Sequence, residues 1–348
     1  RVNLSNSTRF TNSGTWDLAD TTSNFNATGD STVVNDGLII AAKDSADNEI
    51  SAIDNIDTFQ SNAGGTIRLA DGTAGGLLLI NGNGADGSVG SGAGTFVTNG
   101  GTIELDVDLS STELPDFVEI NGNLRLGDAP TALSINPVGD TTAAEAADSV
   151  QIVRVGTGNG ETSDEGAFVL DGPVEVGAIA YNLSLGDCSD QADQNWYLCS
   201  SIGTTGAVFE AMPGVILNSF ARTDTLQQRL GSRITGAGGT ISTRGTGDLS
   251  VDQAAGPWMR TWGDFADITP DTSSAGTSWD ADSRGMEAGI GMLLGDHAEG
   301  SLIAGVNLRY GATYADLSTP NGTGSVNAKG VGVGASLTWF GNDGLYVD

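Results

Sequence analysis

Histidine, cysteine, proline and positive charge are all scarce in this chain, and each scarcity excludes something. The one histidine among 348 residues is His297, in the run Asp296-His297-Ala298-Glu299. No serine or cysteine partner pattern surrounds it, so it reads as a solvated turn residue and not as a catalytic base. GxSxG, HExxH and phosphate-loop patterns are missing too, which removes the commonest signatures of hydrolases and nucleotide enzymes. No run of about 18 apolar residues occurs, so no helix is written to cross a membrane. With 14 Lys+Arg against 44 Asp+Glu the formal net charge is −30. Such a chain repels nucleic acid and anionic lipid surfaces, and the charge reads chiefly as solubility.

The two cysteines, Cys188 and Cys199, flank a polar run, Ser189 to Asn195, between strand-like segments at Tyr181 to Leu185 and Trp196 to Leu198. That suits a hairpin stapled by a disulfide, worth about 3 kcal/mol for so small a loop, and it implies an oxidising compartment. The run Asn81-Gly82-Asn83-Gly84-Ala85-Asp86-Gly87 has a faint calcium-loop look but lacks the bidentate glutamate. No cofactor or metal site follows from the sequence.

Glycine is abundant, at 52 residues, against 8 prolines. No Gly-X-Y period is present, which excludes collagen, and recurring Val, Ile, Leu and Phe leave enough apolar surface for a core. Residues 1–130 carry a loose repeat. Asn12-Ser13-Gly14-Thr15-Trp16-Asp17-Leu18 returns as Asn62-Ala63-Gly64-Gly65-Thr66-Ile67-Arg68-Leu69 and as Asn99-Gly100-Gly101-Thr102-Ile103-Glu104-Leu105. Ile80-Asn81-Gly82-Asn83 returns as Ile120-Asn121-Gly122-Asn123. Each phrase is a turn and a short alternating strand, at intervals near small multiples of about 20 residues. A single rung cannot bury its apolar face; stacked rungs can, which gives a right-handed parallel β-helix. Residues 131–205 keep strands but lose the repeat, and are expected to cap the last rung.

A helix is expected over 206–236. Pro213 suits its first turn, and Val215, Ile216, Leu217, Phe220, Leu226 and Leu230 recur at helical spacing. Arg222, Arg229 and Arg233 fall close to one stripe of it. Residues 237–255 are rich in Gly, Ser, Thr and Asp and read as a flexible connection. From 256 to 348 the pattern becomes strict alternation. Met286, Ala288, Ile290, Met292 and Leu294 share one face, with Gly285, Glu287, Gly289 and Gly291 on the other. Leu302 to Tyr310 and Val331 to Trp339 behave alike, and Asn307 and Arg309 share the small or polar face. Apolar outside and small or polar inside is the pattern of a membrane β-barrel, with Tyr310, Tyr314, Trp339 and Phe340 suited to interfacial girdles.

The order of these parts resembles the monomeric (type Va) autotransporters of type V secretion, over essentially the whole chain. Asp116-Phe117-Val118-Glu119-Ile120-Asn121-Gly122 is similar to the family's passenger-end rung. Gly166 to Leu170 and Gly177 to Leu183 resemble its autochaperone segment, and Trp196-Tyr197-Leu198 the tripeptide before the linker. Thr225 to Arg233 resembles the linker helix, and Pro257-Trp258-Met259-Arg260-Thr261-Trp262-Gly263 the first barrel strand. The resemblance implies an outer-membrane barrel of about twelve strands, of which some four to five fit in 256–348. The chain therefore reads as cut at both ends, mid-repeat and mid-barrel.

It further implies a linker helix lying in the lumen, its Arg222, Arg229 and Arg233 stripe facing lumenal Glu287, Asn307 and Arg309. A passenger moved to the cell surface would draw on its own folding free energy. Implied partners are outer-membrane lipid, the barrel-assembly machinery and a host or neighbouring cell surface, with the chain a monomer and the passenger an adhesin. Some members cleave themselves in the linker at an asparagine; Asn218-Ser219 is the position here, without the usual double asparagine. The competing reading is a soluble β-helix enzyme acting on polysaccharide, with Asp106 and Asp108 as its carboxylates.

Overall fold

The computed structural model describes residues 9–18, 22–24, 31–41, 50–54, 56–81, 94–109, 114–139, 148–156, 160–189, 192–220, 234–236, 240–242, 248–249, 256–297, 299–341 and 345–347. The chain divides into two compact units, Arg1–Gly203 and Thr204–Asp348.

The first unit is a parallel β-helix. Its rungs stack one side chain per coil, and the ladder Trp16, Ile39, Ile67, Ile103, Leu133, Leu170 threads the whole 6-stranded sheet. A second ladder runs Phe10, Val33, Phe59, Phe96, Leu124, and a third Ile53, Ile80, Ile120, Val155. These side chains form one continuous core. Coil length varies from 23 residues (Trp16 to Ile39) to 40 (Ile80 to Ile120), longer and less regular than a 20-residue period. The repeated asparagine phrase marks a corner. Asn12 Nδ2 donates to Asn35 Oδ1 at 2.9 Å, and Asn62 Nδ2 to Asp36 Oδ1 at 2.6 Å. Gly100 and Gly101 turn that corner at φ 93 and 81, where a side chain is strained.

Parallel coils do not stop at residue 130. Thr131–Val138 pairs in parallel with both Thr102–Asp108 and Phe168–Leu170. Antiparallel pairing among Val174–Val176, Ile179–Leu185 and Trp196–Ile202 then replaces it. Trp196 closes an aromatic file with Phe168, Phe96 and Phe59, at successive centroid distances of 5.3, 6.1 and 5.1 Å. Its indole Nε1 donates to Ser163 Oγ at 2.9 Å, so the large ring leaves no orphaned donor. Cys188 and Cys199 are disulfide-bonded with Cα atoms 5.6 Å apart. Strand register places Cys199 opposite Asn182, so the staple joins the hairpin's loop to one arm and not the two arms to each other.

In the second unit the helix spans Thr204–Phe220. It starts ahead of the proline expected to open it, and Pro213 lies inside it, where the ring removes an N–H from the Phe209 carbonyl. It does not run to 236: Ile234–Gly236 is a strand, paired antiparallel with Thr240–Ser242, which pairs with Asp248–Leu249. Part of the expected flexible connection is thus a small sheet. Strands Gly256–Ile268, Ser278–His297, Gly300–Thr319, Gly322–Gly341 and Tyr346–Val347 form an antiparallel meander, each paired with its predecessor. His297 ends the second of these strands, opposite Gly300, and so stands at the first position of the hairpin turn, exposed as expected.

Candidate functional site

The meander has two unlike faces. In register across it, Met286 meets Tyr310 and Val331, Ala288 meets Leu308 and Val333, and Ile290 meets Val306 and Ala335. These side chains point away from the helix. Val333 is 87 % exposed, Phe265 82 % and Val331 79 %. From Leu302 to Tyr310 the band is about 27 Å long along the strand, comparable to the ~25 Å apolar belt of an outer-membrane barrel. So large a continuous apolar face cannot be left in water. No described helix is long and apolar enough to cross a membrane, which says nothing of strands.

The other face seats the helix, and glycine makes room for it. Ala207, Ala211 and Val215, four residues apart, form the buried stripe of the helix. Ala211 and Val215 pack on Trp279, Ala281, Ala315, Leu317 and Val326. A Cβ on Gly324 would stand 2.6 Å from Val208 Cγ2, and one on Gly214 3.0 Å from the Trp279 ring. The Phe220 ring lies over two strand glycines: a Cβ would meet it at 2.8 Å from Gly330 and at 3.0 Å from Gly311.

Polar contacts fix the helix at both ends. Thr204 Oγ1 donates to the Asn321 carbonyl at 3.4 Å, at the turn between the third and fourth strands. The Glu210 carboxylate accepts the N–H groups of Ser274 and Ala275 at 2.7 and 2.9 Å, from the loop between the first and second strands. At the far end Arg309 Nη1 donates to the Phe220 carbonyl at 3.5 Å, where a cation suits a helix C-terminus. The helix therefore descends from the loop end of the sheet toward its middle. A cavity of ≈ 460 Å³ opens beside that end, lined by Phe220, Arg309, Gly330 and Gly332 among others.

Below Phe220 sits an ion cluster. Glu287 is 1 % exposed. Arg260 Nε donates to its Oε2 at 2.9 Å, Arg309 Nη2 lies 3.8 Å from Oε1, and Asn307 Nδ2 donates to the same oxygen. Arg260 also stands 5.6 Å from the Trp258 ring centroid. A buried carboxylate so held is costly to strip of its partners. The structure thus brings Glu287, Asn307 and Arg309 together. Arg222, Arg229 and Arg233 lie outside the described residues. Asn218 is in the helix, its side chain likewise not described, and the faint calcium loop falls largely outside the described residues. Arg260 was not singled out by sequence reasoning, although the alternation from Trp258 puts it on the inward face.

The carboxylates proposed for an enzyme have other work. Asp106 and Asp108 are buried and not on a solvated rung. Asp106 Oδ2 accepts the N–H groups of Asp71 and Gly72 at 2.7 and 2.5 Å. Asp116, also buried, accepts those of Gly76 and Asp106 at 2.8 and 2.7 Å. Burial pushes the Asp116 carboxyl up to about 7, helped by the Asp106 and Asp71 charges and opposed by those two N–H bonds. Among the described residues no group of three or more His, Cys, Asp and Glu is placed to hold a metal.

A β-helix in one unit, and in the other a lipid-patterned sheet around a seated helix, define a class: a secreted passenger with its own outer-membrane translocator. Residues 257–348 match the family described as Autotransporter beta-domain. Over 275 residues, 73 % of this chain, the sequence is 29 % identical to the Adhesin BmaC autotransporter of Brucella suis biovar 1 (strain 1330). The aligned region is 8 % of that relative's length. Residues 257–348 are thus matched as autotransporter β-domain sequence, and the likeness to an autotransporter extends into the residues that precede them. The chain is placed in the outer membrane, with its passenger exposed at the cell surface.

Proposed function

We propose that the Thr204–Phe220 helix is the linker that occupies the barrel lumen once the passenger has passed through it, and that its glycine-lined seat holds it there after export. The observation that carries this reading is the fit of Phe220 and Val208 onto Gly330, Gly311 and Gly324. Such close approach serves no purpose on a solvated sheet. The Glu287–Arg260–Arg309 cluster keeps the lumen polar below the helix end. Residues 1–170 carry the passenger's parallel coils, and the antiparallel strands between Val174 and Ile202 act as cap and autochaperone: closure of the aromatic file by Trp196 hinders backsliding and gives later coils a template. The passenger as a whole is an adhesin, non-enzymatic, whose target is a host or neighbouring cell surface. The barrel-assembly machinery inserts the sheet, and the protein works as a monomer.

A paired substitution tests the seat. Val208→Cys with Gly324→Cys, oxidised in intact cells after assembly, is expected to cross-link helix to sheet. Absence of the cross-link in correctly inserted protein would show that the helix is not seated there. Self-cleavage at Asn218 would instead release a passenger whose C-terminus maps to that residue.

A further inference from the structure

The C-terminal sheet carries four Lys and Arg residues: Arg260, Arg284, Arg309 and Lys329. Two of them face inward on Glu287. The other two, Arg284 and Lys329, are exposed on the outward face. Register puts both in one row, Gly263–Arg284–Ala312–Lys329. They are separated by a single strand, so their Cα atoms stand about 10 Å apart, close enough for both flexible heads to reach one anion. The residues beside them in the row, Gly263 and Ala312, are the smallest available and leave the floor flat.

The height of the row matters. Immediately below it lie Met286, Tyr310 and Val331, the top of the apolar band. Immediately above lie Phe265, Asp282, Tyr314 and Asn327, then Asp267, Asp280, Asp316 and Ser325. Arg284 and Lys329 are thus at the boundary of the apolar band, and the outward carboxylates of Asp267, Asp280, Asp282 and Asp316 lie above it. The row is at the same end as the Asn321 turn, where the helix begins. With the passenger outside the cell, that end is the outer leaflet. In a chain of net charge −30, this is a local reversal of sign where lipid phosphates lie.

We propose that Arg284 and Lys329 form a docking site for a phosphate-bearing lipid headgroup of the outer leaflet, its acyl chains lying along Tyr310, Val331, Leu308 and Val333. This rests on the reading of the outward face as lipid-facing. The headgroup phosphate would bridge the two cations over Ala312, and the carboxylate rows would hold the remainder of the acidic surface clear of the leaflet.

The test uses the full-length protein in phosphatidylcholine vesicles containing spin-labelled phosphatidic acid or spin-labelled phosphatidylcholine, with the motionally restricted fraction read by electron paramagnetic resonance. Phosphatidic acid is expected to be preferred, and each of R284Q and K329Q to lower the preference about fivefold, with D280N leaving it unchanged. Equal preference in wild type and variants overturns the site. Displacement of the labelled lipid by millimolar inorganic phosphate overturns its assignment to lipid. If neither lipid is restricted at all, the lipid-facing reading itself fails, which is a different result.

Discussion

Gly330→Ala should unseat the helix while leaving the sheet intact. Gly330 lies within an extended strand, so alanine brings no backbone penalty. The added methyl would stand 2.8 Å from Phe220 Cε1 and 3.1 Å from both Cδ1 and Cζ. Gly330 and Gly311 are cross-strand neighbours beneath the same ring, and a Cβ on Gly311 would also meet Phe220 at 3.0 Å, so a methyl here can be relieved only by lifting the ring off the sheet. Overpacking of this kind costs about 1–3 kcal/mol, which corresponds to roughly 5- to 150-fold more undocked helix. Single-channel recording in planar bilayers reads this as a larger open fraction. Phe220→Ala removes the clash, so the double variant should return toward the conductance of Phe220→Ala alone, a coupling of similar size. Wild-type conductance in Gly330→Ala, or strict additivity of the two substitutions, would refute the seat.

Glu287→Gln leaves the Arg260 and Arg309 guanidinium groups facing a neutral amide in a buried site, at a cost of about 3–5 kcal/mol. The folded, heat-modifiable band on gels should be lost at a lower temperature, and Arg260→Gln in the same chain should recover part of the loss. Cys199→Ser removes a staple closing a short loop, with sequence separation 11, worth about 3 kcal/mol. Urea unfolding of the passenger should shift accordingly and no longer respond to reductant. The Asp116 carboxyl, raised to about 7 when folded, favours the folded state most fully below its unfolded value near 4. That contribution is lost as pH rises through about 7, at most ~4 kcal/mol across the window. Asp116→Asn should flatten this part of the passenger's stability profile, and an unchanged slope between pH 4 and 7 would contradict the assignment.

The two faces of the C-terminal strands were legible because lipid and lumen impose opposite demands on alternate residues. That parity alone places Glu287, Asn307 and Arg309 together. It also carried the information for Arg260, two positions beyond Trp258, but a lone charge in an aromatic strand drew no attention. The helix start was not legible. Its buried stripe is Ala207, Ala211 and Val215, small residues with a weak apolar signal, whereas the larger Phe209, Ile216 and Leu217 are partly to largely exposed. Pro213 therefore looked like a beginning while lying in the interior. The coils beyond residue 130 were hidden for a different reason. Register there is kept by Leu133 and Leu170 at a 37-residue interval, and loops of uneven length erase the sequence period without disturbing the stack. Asp106 and Asp108 read as a possible catalytic pair because alternation alone cannot show that both are buried and that backbone N–H groups occupy Asp106.

Protease added to intact cells carrying the full-length protein tests the central claim most directly, with peptides mapped by mass spectrometry. Surface display predicts that residues 1–203 are digested while 256–348 survive in the membrane fraction. Recovery of the whole chain undigested in the periplasm, or as soluble protein, would contradict the account and reopen the soluble β-helix enzyme.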